Sequence, residues 1–168
     1  MTYLQLKTDK LPTLVAALNS LLANYTVYHQ KLLRFHWNVR GENFFELHEV
    51  FEKLYQSPAL KIDAIAERIQ TLKYRPLSML HQYLEKATIK EKDTFRNDRE
   101  MVQEVLEDQS ILIKNLKDAI QAAKMAEDDA TIYLLSSFLL ELEKNSWMLF
   151  TWLSKPVSSN LNEVVAMQ

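Results

Sequence analysis

The sequence contains no cysteine, one glycine and four prolines among its 168 residues. Without cysteine, the chain cannot form disulfide bonds, cysteine-ligated zinc sites or a thiol nucleophile, so histidine and carboxylate side chains must hold any metal. So few glycines and prolines cannot supply the many tight turns of an all-β chain, and they favour a few long helices. A chain of this length can form one domain that buries ~70% of its unfolded surface.

A surplus of positive charge and a long apolar run are also missing. The 20 lysines and arginines and 22 aspartates and glutamates leave a net charge of −2. This balance is unfavourable for a dedicated nucleic-acid binder, because phosphate contacts need concentrated positive charge. No apolar stretch reaches the ~18 residues of a membrane span, and the first ten residues lack the architecture of a signal peptide. We therefore expect a soluble cytoplasmic protein with no membrane partner.

Apolar residues recur at helical spacing along most of the chain and predict four long helices. The predicted spans are about 12–38, 43–72, 91–123 and 130–153, with a short helix at 78–84. Gly41 suits a left-handed cap after the first helix, and Asn43 with Glu46 suits a capping box on the second. Pro58 predicts a kink inside the second helix. The pattern predicts an all-α, ferritin-like four-helix bundle with a short extra helix between helices two and three. It forms a single domain over residues 1–168, with loose tails at about 1–8 and 157–168.

One arc of the second helix carries a histidine and three carboxylates. With His48 as the origin and ~100° per residue, Glu52 lies at about 40°, Asp63 at about 60° and Glu67 at about 100°. His36 ends the preceding helix, across the turn that contains the single glycine. These five side chains are the candidate ligands of a metal site.

A single copy of the helix cannot bring these ligands together. Fifteen residues separate His48 from Asp63, which is roughly 22 Å along a helix. In two copies packed antiparallel across a two-fold axis, positions whose numbers sum to 115 face each other. His48 then faces Glu67, Glu52 faces Asp63, and the axis passes near Pro58. The spacing therefore predicts a homodimer with two equivalent intersubunit sites.

The donor types restrict the metal. Imidazole with carboxylate suits Fe(II), Mn(II) or Zn(II), and open coordination positions are typical of non-haem iron rather than of structural zinc. A single-chain di-iron bundle needs Glu-x-x-His on two helices, and no glutamate here is followed three residues later by histidine.

Simpler interpretations of the same residues stay open at this stage. His36 and His48 could serve as caps or hydrogen-bonded core residues. Asp63 and Glu67 could form surface ion pairs with lysine or arginine, and Glu52 could lie on a solvated face. The other two histidines, at positions 29 and 81, are expected to be a core or interface residue and an exposed residue, respectively.

The candidate ligands lie within a longer pattern. Its parts are His36-Trp37-Asn38-Val39-x-Gly41, Leu47-His48, Phe51-Glu52, Asp63-x-Ile65-Ala66-Glu67-Arg68, Asp128-x-x-Thr131 and Glu143-Lys144-x-x-Trp147. In this pattern the chain resembles the Dps family of mini-ferritins over most of its length. The resemblance implies a hollow shell of twelve four-helix subunits that oxidises Fe(II) at its two-fold interfaces, preferably with hydrogen peroxide and otherwise with O2. It also implies that the shell stores the ferric mineral and protects against oxidative damage.

The resemblance also implies a role for each candidate residue. It assigns two histidines to one subunit and two carboxylates to its mate, namely His36 and His48 with Asp63 and Glu67. Glu52 matches an auxiliary acidic position, and Trp37 matches an aromatic residue beside the site that donates an electron or quenches radicals. The cofactor it implies is iron, with Zn(II) and Mn(II) as competitors.

Two features bear on how far the resemblance extends. Many family members have an aspartate where this chain has Tyr133, near an acidic pore that Glu127, Asp128 and Asp129 could still line. Some members instead compact DNA, commonly through tails rich in lysine and arginine. Here the first ten residues contain two lysines and one aspartate, and the last twelve contain one glutamate and no basic residue. We therefore expect no DNA binding at physiological salt.

Overall fold

The computed structural model describes residues 4–92 and 97–154, and most of these residues are helical. Along these two ranges the elements are a 3-10 turn at Thr8–Lys10, α1 at Leu11–Asn38, α2 at Phe44–Thr71, α3 at Leu80–Lys86, α4 at Asp98–Met125 and α5 at Asp129–Leu153. The predicted all-α bundle of four long helices, with a short helix between the second and third, is confirmed. None of the described helices is long and apolar enough to cross a membrane.

The core is built around α1, which packs against α2, α3 and α4, while α4 packs against α5. The apolar stripe of α1 is fully buried at Leu14, Leu18, Leu21 and Leu22. Burying each such side chain contributes about 1.5–3 kcal/mol, so this stripe accounts for the central place of α1.

The connection between α3 and α4 is attached to α1 by a buried asparagine. Asn24 Oδ1 accepts hydrogen bonds from the backbone amides of Thr88 and Ile89, at 3.0 and 2.9 Å. Its Nδ2 donates to Asn115 Oδ1 of α4, at 2.7 Å. A single side chain thus links α1, the connection and α4. Apolar periodicity does not reveal such a residue, because Asn24 lies among the leucines of the stripe.

The turn between α1 and α2 differs from the prediction in its capping. Gly41 has the expected positive φ of +110°, and α1 ends at Asn38 as predicted, but the residue that caps α1 is an extended Val39 rather than Gly41. Asn43 does precede α2, yet its side chain makes no capping bond and instead donates to Asp98 Oδ2 at 2.7 Å. The capping box with Glu46 is therefore wrong, since the side-chain amide of Asn43 bonds a carboxylate of α4.

Two other boundaries also differ. α4 begins at Asp98 rather than near residue 91, because Asn97 caps it by accepting from the backbone amide of Glu100 at 2.9 Å. Residues 91 and 92 are not helical, and residues 93–96 lie outside the described part. The short helix begins and ends two residues later than predicted.

The sequence also predicted a kink at Pro58 and a loose tail at each end of the chain. α2 is one uninterrupted helix that includes Pro58. The stretch 157–168 lies outside the described residues. Near the other end of the chain, the backbone amide of Lys7 donates to the carbonyl of Ala126 at 3.2 Å.

Candidate metal site

His36 and His48 meet where the last turn of α1 faces the start of α2. Their rings stack with centroids 3.9 Å apart and an interplanar angle of 23°. His36 Nδ1 donates to the His48 carbonyl, and His48 Nδ1 donates to the His36 carbonyl, both at 2.9 Å. Because a carbonyl oxygen only accepts, each Nδ1 carries a proton, and in the neutral imidazole the lone pair is then on Nε2. This is the tautomer that a metal-binding imidazole needs.

Neighbouring aromatic rings hold the two imidazoles from either side. The Phe44 ring stacks on His48 with centroids 5.2 Å apart, and the Tyr55 ring meets the edge of His36 at 5.3 Å. Both histidines are half-buried. Packing and hydrogen bonding therefore fix the orientation of both rings within one subunit.

Two of the three candidate carboxylates occupy the second half of α2. Asp63 and Glu67 are exposed, and Glu52 is half-buried in the first half of the helix. Among residues 4–92 and 97–154, neither Asp63 nor Glu67 has an ion-pair partner. The interpretation of these two residues as a surface salt-bridge pair thus has no support in the described part of the chain.

A single subunit does not bring these groups into one cluster. Within the described ranges, no three histidine, aspartate or glutamate side chains lie close enough to hold one metal ion. The two imidazoles lie near the start of α2, with His36 on α1 and His48 on α2, and the exposed carboxylates lie in the second half of α2. The assembly of the two halves from two subunits stays a prediction.

The interior between α1 and α4 contains an ion cluster of another kind. Lys31, which is 3% exposed, contacts Glu104 at 2.8 Å and Asp108 at 2.6 Å. Burial raises the pKa of Asp108 to about 6, although the ammonium of Lys31 opposes this shift. An internal ammonium thus neutralises the buried carboxylates in the bundle, the part of the fold where single-chain di-iron proteins hold their metals.

Comparison with known proteins agrees with this arrangement of helices. Residues 15–156 match the family model of the ferritin-like domain. The DNA protection during starvation protein of Brevibacillus brevis is 40% identical over 148 residues, which cover 88% of this chain and 99% of the relative. The crystal structure of the Dps protein of Vibrio cholerae O1 has a TM-score of 0.87 at 40% identity, covering 92% of this chain and 97% of that chain. This chain belongs to the Dps family.

A third relative, Dps from Listeria innocua, has been crystallised and soaked with zinc. It has a TM-score of 0.81 at 30% identity, covering 84% of this chain and 97% of that chain. Membership of the Dps family confirms the resemblance drawn from the motifs and the ferritin-like fold.

The remaining aromatic and histidine candidates differ in their surroundings. Trp37 follows His36 and is 64% exposed, so its indole is not a core residue of this subunit. His29 is half-buried, its ring lies 6.2 Å from that of Tyr55, and burial lowers its pKa. His81 is exposed on α3.

The acidic segment before α5 makes contacts within the subunit. Asp128 is 1% exposed and caps α5 by accepting from the amide of Thr131 at 3.0 Å. It also accepts from Arg68 Nη2 at 2.6 Å. Burial alone would raise the pKa of Asp128, but the hydrogen bonds from Arg68 and Thr131 outweigh burial and lower it. Asp128 therefore joins α2 to α5 within this subunit, and a pore role for this residue stays a prediction. The sequence did not indicate the contact, because Arg68 and Asp128 lie sixty residues apart.

The two flanking acidic residues are exposed, and one of them pairs with a lysine. Glu127 has a φ of +57° and pairs with Lys7 at 2.7 Å. Asp129 is exposed, and Tyr133, at the position where many family members have an aspartate, is 81% exposed.

Proposed function

We propose that this Dps-family protein oxidises Fe(II) at intersubunit sites and stores the ferric product inside a shell. The observation that carries the proposal is the histidine pair, in which both Nδ1 atoms are occupied and both Nε2 atoms are free to bind a metal. Imidazole with carboxylate is a donor set that suits Fe(II), the substrate of the proposed reaction.

Each residue has a proposed task in this reaction. His36 and His48 of one subunit bind Fe(II) together with Asp63 and Glu67 of the mate. The anionic carboxylates favour the ferric state and so make oxidation easier. Glu52, between the two halves on α2, supplies a further acidic group near the entering iron.

Hydrogen peroxide is the proposed oxidant. One peroxide molecule takes up two electrons, one from each of two Fe(II) ions, together with two protons. It leaves as two water molecules without releasing hydroxyl radical. Trp37, exposed beside His36, is placed to donate an electron to any one-electron oxidant that escapes this reaction. O2 is the alternative oxidant, and the two are distinguished by their rates under otherwise equal conditions.

Mixing the apoprotein with Fe(II) and peroxide should produce a rapid rise in ferric absorbance. The double variant His36→Ala with Asp63→Ala should lose this rapid phase, since it removes one ligand from each half of the site. Its matched control is His81→Ala with Asp118→Ala, two exposed residues outside the candidate site. Oxidation by the first variant at the rate of the control would show that the site is assigned wrongly.

The same samples test storage. Twelve subunits of 19.7 kDa would form a shell of about 236 kDa, and the oxidised iron should elute with that mass. A stable dimer that oxidises iron but retains none would keep the proposed sites and rule out the storage role.

The named relatives are DNA protection proteins, and we propose that protection here comes from removing iron rather than from covering DNA. The net charge of −2 per chain should repel the duplex at physiological salt. In a gel-shift experiment the assembled protein should leave duplex DNA unretarded. Retardation under those conditions would favour the alternative, a DNA-binding protein that compacts the nucleoid.

A further inference from the structure

Pro58 interrupts the hydrogen bonding of α2 at the middle of the helix. Proline has no backbone N–H, so the carbonyl of Leu54, four residues earlier, loses the donor that an ordinary helix would supply. Pro58 is buried, and it lines a small, partly open cavity together with residues of α1 and α5. A helix carbonyl that loses its usual donor favours another hydrogen-bond donor nearby.

Tyr25, which also lines this cavity, carries a buried polar atom without a partner among the described residues. The hydroxyl of Tyr25 is buried and has no hydrogen-bond partner in the described part of the chain. Burial also raises the pKa of this phenol, so the hydroxyl keeps its proton and remains a donor. The neighbouring Tyr28 differs, because its hydroxyl accepts from Gln109 Nε2 at 2.9 Å.

The cavity lined by these residues has the size of one small molecule. Its volume is about 10 Å³, and its lining includes Tyr25, Leu54, Pro58 and the side chain of Asn145. A space of about 10–15 Å³ holds a single water molecule when two to four polar groups surround it.

The charged residues at this cavity already have partners. Lys61 contacts Glu141 Oε2 at 2.8 Å and donates to Ser57 Oγ. Ser57 Oγ in turn donates to Glu141 Oε1 at 2.5 Å. An ammonium in the lining disfavours a metal cation, and the adjacent carboxylate disfavours an anion, so a neutral occupant fits best.

We propose that this cavity is a binding site for one structural water, which accepts from the Tyr25 hydroxyl and donates to the Leu54 carbonyl. The amide of Asn145 supplies the third partner. The water replaces the hydrogen bond that Pro58 removes, midway between the imidazole and carboxylate ends of α2. This site does not depend on the proposed iron chemistry, so either proposal can fail without the other.

A high-resolution crystal structure of the unaltered protein tests the site directly. We expect one ordered water within hydrogen-bonding distance of both Tyr25 Oη and the Leu54 carbonyl oxygen. A dry cavity, or a Tyr25 hydroxyl turned to a protein acceptor, would overturn the proposal.

A double-mutant cycle of thermal midpoints tests the energetic link. Pro58→Ala gives the Leu54 carbonyl its helical donor, so the water loses one partner. Tyr25→Phe should therefore lower the midpoint by about 2–4 °C in the parent and by less in the Pro58→Ala background. Tyr28→Phe is the matched control, and its effect should be equal in both backgrounds. An equal effect of Tyr25→Phe in both backgrounds would also overturn the proposal.

Discussion

At the scale of single residues, each site histidine has two separable tasks. Its Nδ1 holds the turn between α1 and α2 by bonding a backbone carbonyl, and its Nε2 is the proposed ligand. The acceptor of each bond is backbone, so replacing His36 removes its own bond but leaves the carbonyl that His48 uses. Support of the turn and binding of iron can thus be altered separately.

Two substitutions at His36 separate the tasks. Asparagine carries an N–H close to the place of Nδ1 but nothing in place of Nε2, whereas alanine lacks both. His36→Asn should keep the parental thermal midpoint, and His36→Ala should lower it by about 2–4 °C for one lost hydrogen bond. Both variants should lose rapid peroxide-driven oxidation of Fe(II). Parental oxidation by His36→Asn would mean that Nε2 of His36 does not bind the iron.

At the scale of elements, α2 forms a side-chain hydrogen bond to another helix near each of its ends. Asn43, before its first turn, bonds Asp98 of α4, and Arg68, in its last turn, bonds Asp128 at the start of α5. Glu67 directly precedes Arg68. The bond to α5 therefore fixes the helical turn that presents one of the two exposed carboxylates.

Substitution of Asp128 distinguishes a structural role, in which it bonds Arg68 and caps α5, from a pore role. Asp128→Ala should lower the free energy of unfolding by about 2–4 kcal/mol at pH 7, because the cap and the charged bond to Arg68 are both lost. Since the pKa of Asp128 is lowered, its contribution is present above the ordinary value of 3.8 and disappears as the pH falls through the lowered value. The difference between variant and parent should thus shrink in acid, as measured by urea unfolding at pH 7 and pH 3. Parental stability with slower iron uptake would instead indicate a pore residue.

The helices that could be predicted from sequence are those whose signals are local. Apolar periodicity, together with Pro12, places α1 to within a residue, and it places α5 equally well. The start of α4 was predicted near residue 91 instead of at Asp98. The sequence alone did not show that Asn97 caps this helix, because the cap is defined only in the folded chain. The capping box at Asn43 was wrong for a similar reason, since the competing acceptor Asp98 is distant in sequence.

In the candidate site, too, local signals could be predicted from sequence and contacts between distant residues could not. Helical spacing identified which histidines and carboxylates lie on one arc of α2. It could not predict that His36 and His48 bond each other's carbonyls, because this depends on the path of the chain through residues 39–43. Nor could it show that Asp128 is buried by Arg68, sixty residues away.

At the scale of the whole molecule, one subunit leaves a long apolar surface uncovered. Tyr133, Leu140 and Trp147 recur every seven residues along α5 and are 81%, 72% and 65% exposed. Residues at this spacing lie on one face of a helix, and an apolar stripe of this kind is typical of subunit interfaces. The surface of the single chain therefore favours association, as the divided site on α2 requires.

Mixed assemblies test whether each site is shared between two subunits. In a dimer of one His48→Ala subunit and one Glu67→Ala subunit, one site has both defects and the other has none. Random co-assembly after joint refolding makes half of the dimers mixed, so about a quarter of all sites should be intact and rapid Fe(II) oxidation should return in proportion. Each variant alone should stay inactive. The control mixes His36→Ala with His48→Ala, where both sites of every dimer lack an imidazole, and it should remain inactive. Recovery in neither mixture, with the native mass unchanged, would place all the ligands of a site in one subunit and contradict the antiparallel pairing of α2.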